Sequence, residues 1–318
     1  MKFAIITVIL VFPFSALTAD LPEERMDALA LQLFLDSQDF GPGRFDGRWG
    51  EFTRKAVDRW NEGNPNRNIA LAVNGPEEGT GMKLWGERSV LANYTISAAD
   101  RELVGEVPEA PEKKAEQERL PYDTLLEVIA EKFHADPALL KELNPSTPFE
   151  TLGPGVSIRV PNLENPFDLN GLPTESSKGA GNADLSVKIY LNRNVLEVHG
   201  LKMLRASFPI SVGEQGNSTP VGDWKVNVVQ WMPEFRYDEK MLEQGERSDD
   251  AFMLPPGPNS PVGVVWIGLD SDGIGIHGTA NAEAIGRNTS SGCIRLANWD
   301  AAKLGKMIQV GTSVEVLQ

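Results

Sequence analysis

Two residues carry the strongest chemical signal in this chain. Cys293, the single cysteine among 318 residues, stands in Ser290-Ser291-Gly292-Cys293-Ile294-Arg295, sixteen residues after His277 in Ile276-His277-Gly278-Thr279. One thiol cannot close an intramolecular disulfide, and small, turn-forming residues flank it, which marks Cys293 as a candidate nucleophile. A free thiol at neutral pH is only a few per cent thiolate, so a base must take its proton or positive surroundings must lower its pKa. His277 is the natural base. Gly292 lets the chain turn so that its own amide and that of Cys293 can face a developing oxyanion, worth about 3 kcal/mol per donor in comparable sites. Arg295, two residues past the thiol, can pair with a substrate carboxylate or lock the loop. A core role is the weaker reading, because Ser-Ser-Gly before the cysteine and Gly-Thr after the histidine describe loop ends. Neither a metal nor another cofactor is called for.

The elements that must position these residues follow a period of two. From Leu185 onward Val187, Ile189 and Leu191 alternate with polar residues, and Val195, Glu197-Val198, Phe208 to Val212, Trp224 to Val228 and Val264 to Ile267 continue the pattern. Short strands broken by Gly, Pro and Asn turns predict a β-rich sandwich or barrel, with one helix at Asn298 to Met307. His199 lies in an alternating strand and reads as structural. Tyr237, in Pro233-Glu-Phe-Arg-Tyr237, is placed either over the cleft or as a packed aromatic.

Upstream, Lys2, an apolar run from Phe3 to Phe14 and Ser15 to Ala19 form an expected signal peptide over 1–19, too short for a membrane span. No stable anchor is expected after cleavage. Arg25 to Leu35 predicts a helix, turns follow at Gly41-Pro-Gly43 and Asp46-Gly47, and Thr53, Ala56, Val57 and Trp60 give a second helix its apolar face. Thr124-Leu-Leu-Glu127 is a capping box, and Asp136-Pro137 starts another helix that Asn144-Pro145 stops. His134 reads as a surface or satisfied histidine. The stretches 101–119 and 164–184, poor in large apolar residues or rich in Pro, Gly and Ser, are expected to be linkers.

Three resemblances rest on these residues. Leu31-Gln32, Phe45-Asp-Gly-Arg-Trp-Gly50, Thr53 and Ala56-Val57 resemble a small three-helix peptidoglycan-binding module, placed at 22–100. Leu143-Asn-Pro145 with Gly155 to Asn162 resembles the end of a LysM domain, a βααβ fold that grips N-acetylglucosamine-containing glycans, placed at 120–163. Residues 185–318 resemble the L,D-transpeptidase (YkuD-type) catalytic domain through Ser211-Val-Gly213, Thr219-Pro-Val-Gly222, Pro256-Gly-Pro-Asn259, Pro261-Val-Gly263, Ile276 to Thr279, Ile285-Gly286, Ser290 to Leu296, Asn298 and Asp300. The whole is thus expected to be a multidomain α+β protein: a small helical bundle, a LysM-like module and a β-rich sandwich.

The third resemblance implies acyl transfer between peptidoglycan stem peptides. It also implies that the carbonyl of Gly278 orients the His277 ring, and that Ser290, Ser291, Thr279, Tyr237 and Arg295 line the substrate site. The family very often has histidine where this chain has Ser291, and often proline where it has Asn281. Stem peptides and glycan strands are the expected partners, with a second stem, an envelope protein or water taking the acyl group; water would make a carboxypeptidase or endopeptidase. A non-catalytic wall-binding adaptor is the contrasting reading, opposed by the intact His277, Gly292, Cys293 and Arg295. The protein is expected to be exported, to the periplasm or cell wall. With 45 acidic against 30 basic residues the net charge is -15, so nucleic acid is not an expected partner, because phosphate binding needs a basic face.

Overall fold

Helices α1 (Glu23–Ser37) and α2 (Glu51–Gly63) pack together through apolar faces that include Leu29, Leu33, Ala56, Val57 and Trp60. The computed structural model describes residues 20–72, 75–173, 181–182, 184–201, 203–212, 219–244, 246–271, 273–286 and 293–318, so the expected signal segment 1–19 lies outside them. Buried Gln32 locks the glycine turn between the helices. Its Oε1 accepts from the amides of Asp46 and Gly47 at 3.2 and 3.0 Å, and its Nε2 donates to Asp46 Oδ1 at 2.8 Å and Thr53 Oγ1 at 3.1 Å. A two-strand ribbon, β1 (Leu71–Ala72) and β2 (Gly75–Pro76), leads to α3 (Thr80–Trp85), which lies against α1.

The middle of the chain runs β3 (Leu91–Thr95), α4 (Ala98–Glu102), α5 (Pro111–Ala115), α6 (Leu125–Lys132), α7 (Pro137–Leu143) and β4 (Ser157–Pro161). Thr124 Oγ1 caps α6 by accepting from the Glu127 amide at 3.2 Å, and Asp136 Oδ1 caps α7 by accepting from Ala138 at 2.7 Å. Strand β4 pairs antiparallel with β3, which completes a β–α–α–β arrangement around α6 and α7. Its first strand lies well upstream of residue 120, separated from α6 by the 101–119 stretch.

Ten further strands follow: β5 (Leu185–Tyr190), β6 (Val195–Gly200), β7 (Met203–Pro209), β8 (Gly222–Trp231), β9 (Phe235–Tyr237), β10 (Phe252–Leu254), β11 (Val265–Leu269), β12 (Gly275–His277), β13 (Ile294–Arg295) and β14 (Ser313–Leu317). Helix α8 (Glu239–Gln244) lies between β9 and β10, and α9 (Asn298–Met307) between β13 and β14. The expected sandwich is corrected here: β13-β12-β11-β8-β14-β5-β6-β7 form one curled mixed sheet of eight strands. Alternation marks one apolar face per strand, but the partner of that face here is helix α9, packed on β11 and β12, rather than a second sheet.

The three parts of the chain press on one another. Edge strand β7 is covered by the first part: Ser207 and Phe40 form a parallel bridge, with Gly41 N donating to Ser207 O at 2.8 Å and Ser207 N to Asp39 O at 3.0 Å. Helix α5, inside the 101–119 stretch, packs on β10, and the amide of Leu120 donates to Pro256 O at 2.9 Å. Beyond 164, Phe167 and Leu172 are buried in the core of the sheet. At the junction of all three parts His134 stacks on Trp299 with centroids 4.9 Å apart and meets Asp36 Oδ1 at 3.1 Å, while Lys303 reaches Asp36 Oδ2 at 2.9 Å. Burial alone would raise the Asp36 carboxyl, but Lys303 and His134 hold it well below the usual carboxylate range. His134 is thus a buried, partnered histidine.

Asp300 sits in the same junction, fully buried, with neither carboxyl oxygen hydrogen-bonded among the described residues. Burial pushes its pKa up to about 8, against the pull of Lys303. The folded chain therefore keeps a proton that the unfolded chain releases between its ordinary 3.8 and about 8, so this group costs stability progressively as pH rises through that window. Asp300→Asn should unfold at the same temperature as the wild type near pH 4 and at a higher one near pH 8, where it should be the more stable by a few kcal/mol at roughly 1.4 kcal/mol per pH unit. Thermal melts across pH check this; a constant offset at every pH would contradict it.

Candidate active site

Strands β12 and β13 run side by side in parallel, with Ile276 opposite Ile294 and His277 opposite Arg295. Paired residues in a parallel ladder project to one face, as do residues two apart on one strand. His277 and Arg295 therefore share a face, and Cys293 immediately precedes β13. The pairing is held on its outer side by Ser211, whose amide and carbonyl both bond Arg295 at 2.9 Å and whose Oγ donates to Ala284 O at 2.8 Å. It is held on the inner side by β11, where Trp266 pairs with His277.

His277 is buried, and its Nδ1 lies 2.6 Å from the carbonyl oxygen of Gly278. A carbonyl only accepts, so Nδ1 carries hydrogen, and in the neutral ring the lone pair is on Nε2. The Trp266 ring stacks on the imidazole, with centroids 5.5 Å apart and planes inclined by 21°. Gly275 makes this possible, since a Cβ there would lie 2.5 Å from the indole. Burial, with a contribution from the charge of Arg295, lowers the His277 pKa to about 4 despite the bond to Gly278.

Cys293 is partly buried, with Sγ 3.7 Å from the carbonyl oxygen of Gly273. Burial pushes its thiol above the ordinary value, while a backbone hydrogen bond at Gly275 and the Arg295 charge oppose the shift. The resting pair is therefore a neutral imidazole and a neutral thiol. With both groups shifted toward their neutral forms, the chemistry open to them is proton removal as the sulfur attacks. Arg295 is half-buried with its Nε unpartnered among the described residues, and its charge acts on both groups.

Thr279 is buried and its Oγ1 accepts from the Asn281 amide at 3.2 Å, which shapes the turn after the histidine. Tyr237 is half-buried in the β9–β10 hairpin, paired with Phe252. Ser290, Ser291 and Gly292 lie outside the described residues. His199 bonds Glu197 at 2.8 Å, away from this site. Sequence reasoning passed over Trp266, whose only signal was its place in an alternating strand, and Asn298 as a site residue. Asn298 Oδ1 accepts from Val264 N at 3.2 Å and lies so close to Gly278 that a Cβ there would be 2.2 Å from it.

Comparison with known proteins bears on the same part of the chain. Residues 186–316 match the YkuD family, the L,D-transpeptidase catalytic domain. The YkuD protein of Bacillus licheniformis is 27% identical over 191 residues, covering 60% of this chain and 92% of its own. That similarity is longer than the family match and so reaches outside residues 186–316. The probable L,D-transpeptidase ErfK/SrfK of Escherichia coli is 36% identical over 118 residues, 35% of this chain and 36% of its own. Among solved structures, an L,D-transpeptidase from Mycobacterium smegmatis superposes with a TM-score of 0.35 at 18% identity, over 42% of this chain and 59% of its own. The carboxy-terminal part of the chain is a YkuD-type L,D-transpeptidase catalytic domain.

Proposed function

We propose that this protein is a cysteine L,D-transpeptidase acting on peptidoglycan stem peptides, with Cys293 as nucleophile and His277 as base. The observation that carries the reading is the bond from His277 Nδ1 to the Gly278 carbonyl, which leaves Nε2 as the basic nitrogen of a ring whose strand pairs with Arg295, two residues past Cys293. As Sγ attacks the carbonyl of the L-centred diamino acid of a stem, Nε2 takes the thiol proton and an S–C bond forms. Collapse breaks the C–N bond to the terminal D-alanine, whose amine leaves with the proton from imidazolium. The acceptor amine then attacks the thioester, its proton passes to Nε2, and the sulfur leaves and is reprotonated. Arg295 supports the reading, since a guanidinium whose charge acts on the thiol suits a substrate carboxylate.

The acceptor is a second stem, giving a 3→3 cross-link, or an amine of an envelope protein. Residues 22–163 hold the catalytic domain on glycan strands, and the enzyme works outside the cytoplasm, in the periplasm or wall. Among the described residues no helix is long and apolar enough to cross a membrane.

Incubating the protein with purified tetrapeptide monomers and identifying the products by mass tests the reaction. A dimer lighter than two monomers by one D-alanine is the expected product. A monomer that has lost D-alanine and gained water would make the protein a carboxypeptidase. Unchanged monomers, with stem dimers also left intact, would count against catalysis on the wall.

A further inference from the structure

The segment that orients the catalytic histidine is braced from outside the catalytic domain. Asn298, the first residue of α9, is fully buried, and its Oδ1 is wedged between two glycines. A Cβ on Gly263, at φ +58°, would lie 2.0 Å from that oxygen, and one on Gly278 would lie 2.2 Å from it. Only glycine fits at either place, so the position of this one amide sets where the backbone of Gly278, and hence its carbonyl, can lie. What decides the orientation of the amide is its other end. Asn298 Nδ2 donates to Pro258 O at 3.2 Å and to Glu131 at 3.1 Å from Oε1 and 3.3 Å from Oε2.

Glu131 belongs to α6, in the middle part of the chain, 167 residues away in sequence. It is buried, and Tyr122, itself buried, donates to its Oε1 at 2.9 Å. Burial raises the Glu131 carboxyl to about 8, with the bonds from Tyr122 and Asn298 opposing the rise. A leucine would fill such a position at less cost in solvation, which makes a carboxyl here unusual for mere packing. In either protonation state it presents an acceptor oxygen to Nδ2, and with the oxygen end of the amide facing Val264 and the two glycines, the reverse orientation would set Nδ2 against an amide donor.

We propose that Glu131 is a positioning residue for the acyl-transfer reaction: through Asn298 it fixes the Gly278 carbonyl that holds His277 in the Nδ1–H tautomer. The middle part of the chain thereby belongs to the catalytic apparatus as well as to substrate recruitment. This rests on the function proposed above for Cys293 and His277.

The test uses the full chain with three substitutions, Glu131→Gln, Glu131→Asp and Glu131→Leu. Two readouts are taken: the rate at which a carbapenem acylates Cys293, resolved into its saturation constant and limiting rate, and the tautomer of His277 from ¹⁵N spectra of the three histidines. Glutamine keeps an acceptor oxygen facing Asn298 and should react within about three-fold of the wild type with an unchanged tautomer. Aspartate withdraws the carboxyl by one methylene, and leucine removes it. Both should lower the limiting rate by about 10-fold to 10²-fold with little change in saturation, as small misplacements of catalytic groups do, and both should show mixed His277 tautomers. If the leucine variant does not fold, the aspartate variant decides. Wild-type rate and tautomer in the aspartate variant, or an equal loss in the glutamine variant, would overturn the proposal. A wild-type protein that takes no carbapenem would instead defeat the proposed function, and the tautomer spectra would still decide the role of Glu131.

Discussion

Cys293→Ala should take no acyl group from a carbapenem, whereas the wild type should gain the mass of the antibiotic once. The sulfur belongs to the chain's single cysteine, just before β13, and alanine has no atom that could form the thioester. The fold should survive the change. Cys293 is partly buried at the start of a two-residue strand whose pairing is made by the backbones of Ile294 and Arg295, so the variant should unfold within about 1 kcal/mol of the wild type. Intact-protein mass spectrometry beside a thermal melt separates loss of chemistry from loss of structure. An adduct on the alanine variant would move the nucleophile elsewhere.

His277→Gln should slow acylation by about 10² to 10⁴-fold, the range expected when a general base is removed. The shape of the pH dependence is the sharper measure. With its pKa lowered to about 4 by burial, the imidazole of the folded protein stays neutral, and so competent as a base, well below its ordinary 6.5. The thiol, raised above its ordinary 9.0, stays protonated across the same interval. Wild-type acylation should therefore be level from about pH 5 to 8 and fall as pH drops through about 4. In the glutamine variant no base remains, and only the pre-formed thiolate reacts. Its rate should climb about ten-fold per pH unit over the interval where the wild type is level. A level profile in the variant would assign the proton transfer to another group.

The local elements were legible because their determinants are local. The face made by Thr53, Ala56, Val57 and Trp60, the caps at Thr124 and Asp136, and the helix at Asn298–Met307 all depend on residues within one or two turns of each other. Alternation likewise foretold β5 and β11, but not their neighbours. A period of two says that one face is apolar, without saying whether a sheet or a helix will cover it, which is why one curled sheet backed by α9 stands where a sandwich was expected. The compositional reading of 101–119 missed α5 for a related reason: few apolar residues suffice when a short helix leans on a hairpin supplied by β9 and β10.

For the site, residue types and spacing singled out Cys293 and His277, since a lone thiol and an imidazole each flanked by small residues stand out against any composition. Their alignment was another matter. Strands of three and two residues are too short to show a period, and a parallel pair needs a crossover whose path no local pattern records, so only the folded sheet puts His277 opposite Arg295, two residues past Cys293. The same holds for the protonation of the pair. Burial lowers the histidine and raises the cysteine, and burial is a property of what the rest of the chain piles around them. Glu131 is the extreme case: within its own helix it is one acidic residue beside Lys132, and its bond to Asn298 exists because two distant segments were folded against each other to bury the faces that each left uncovered.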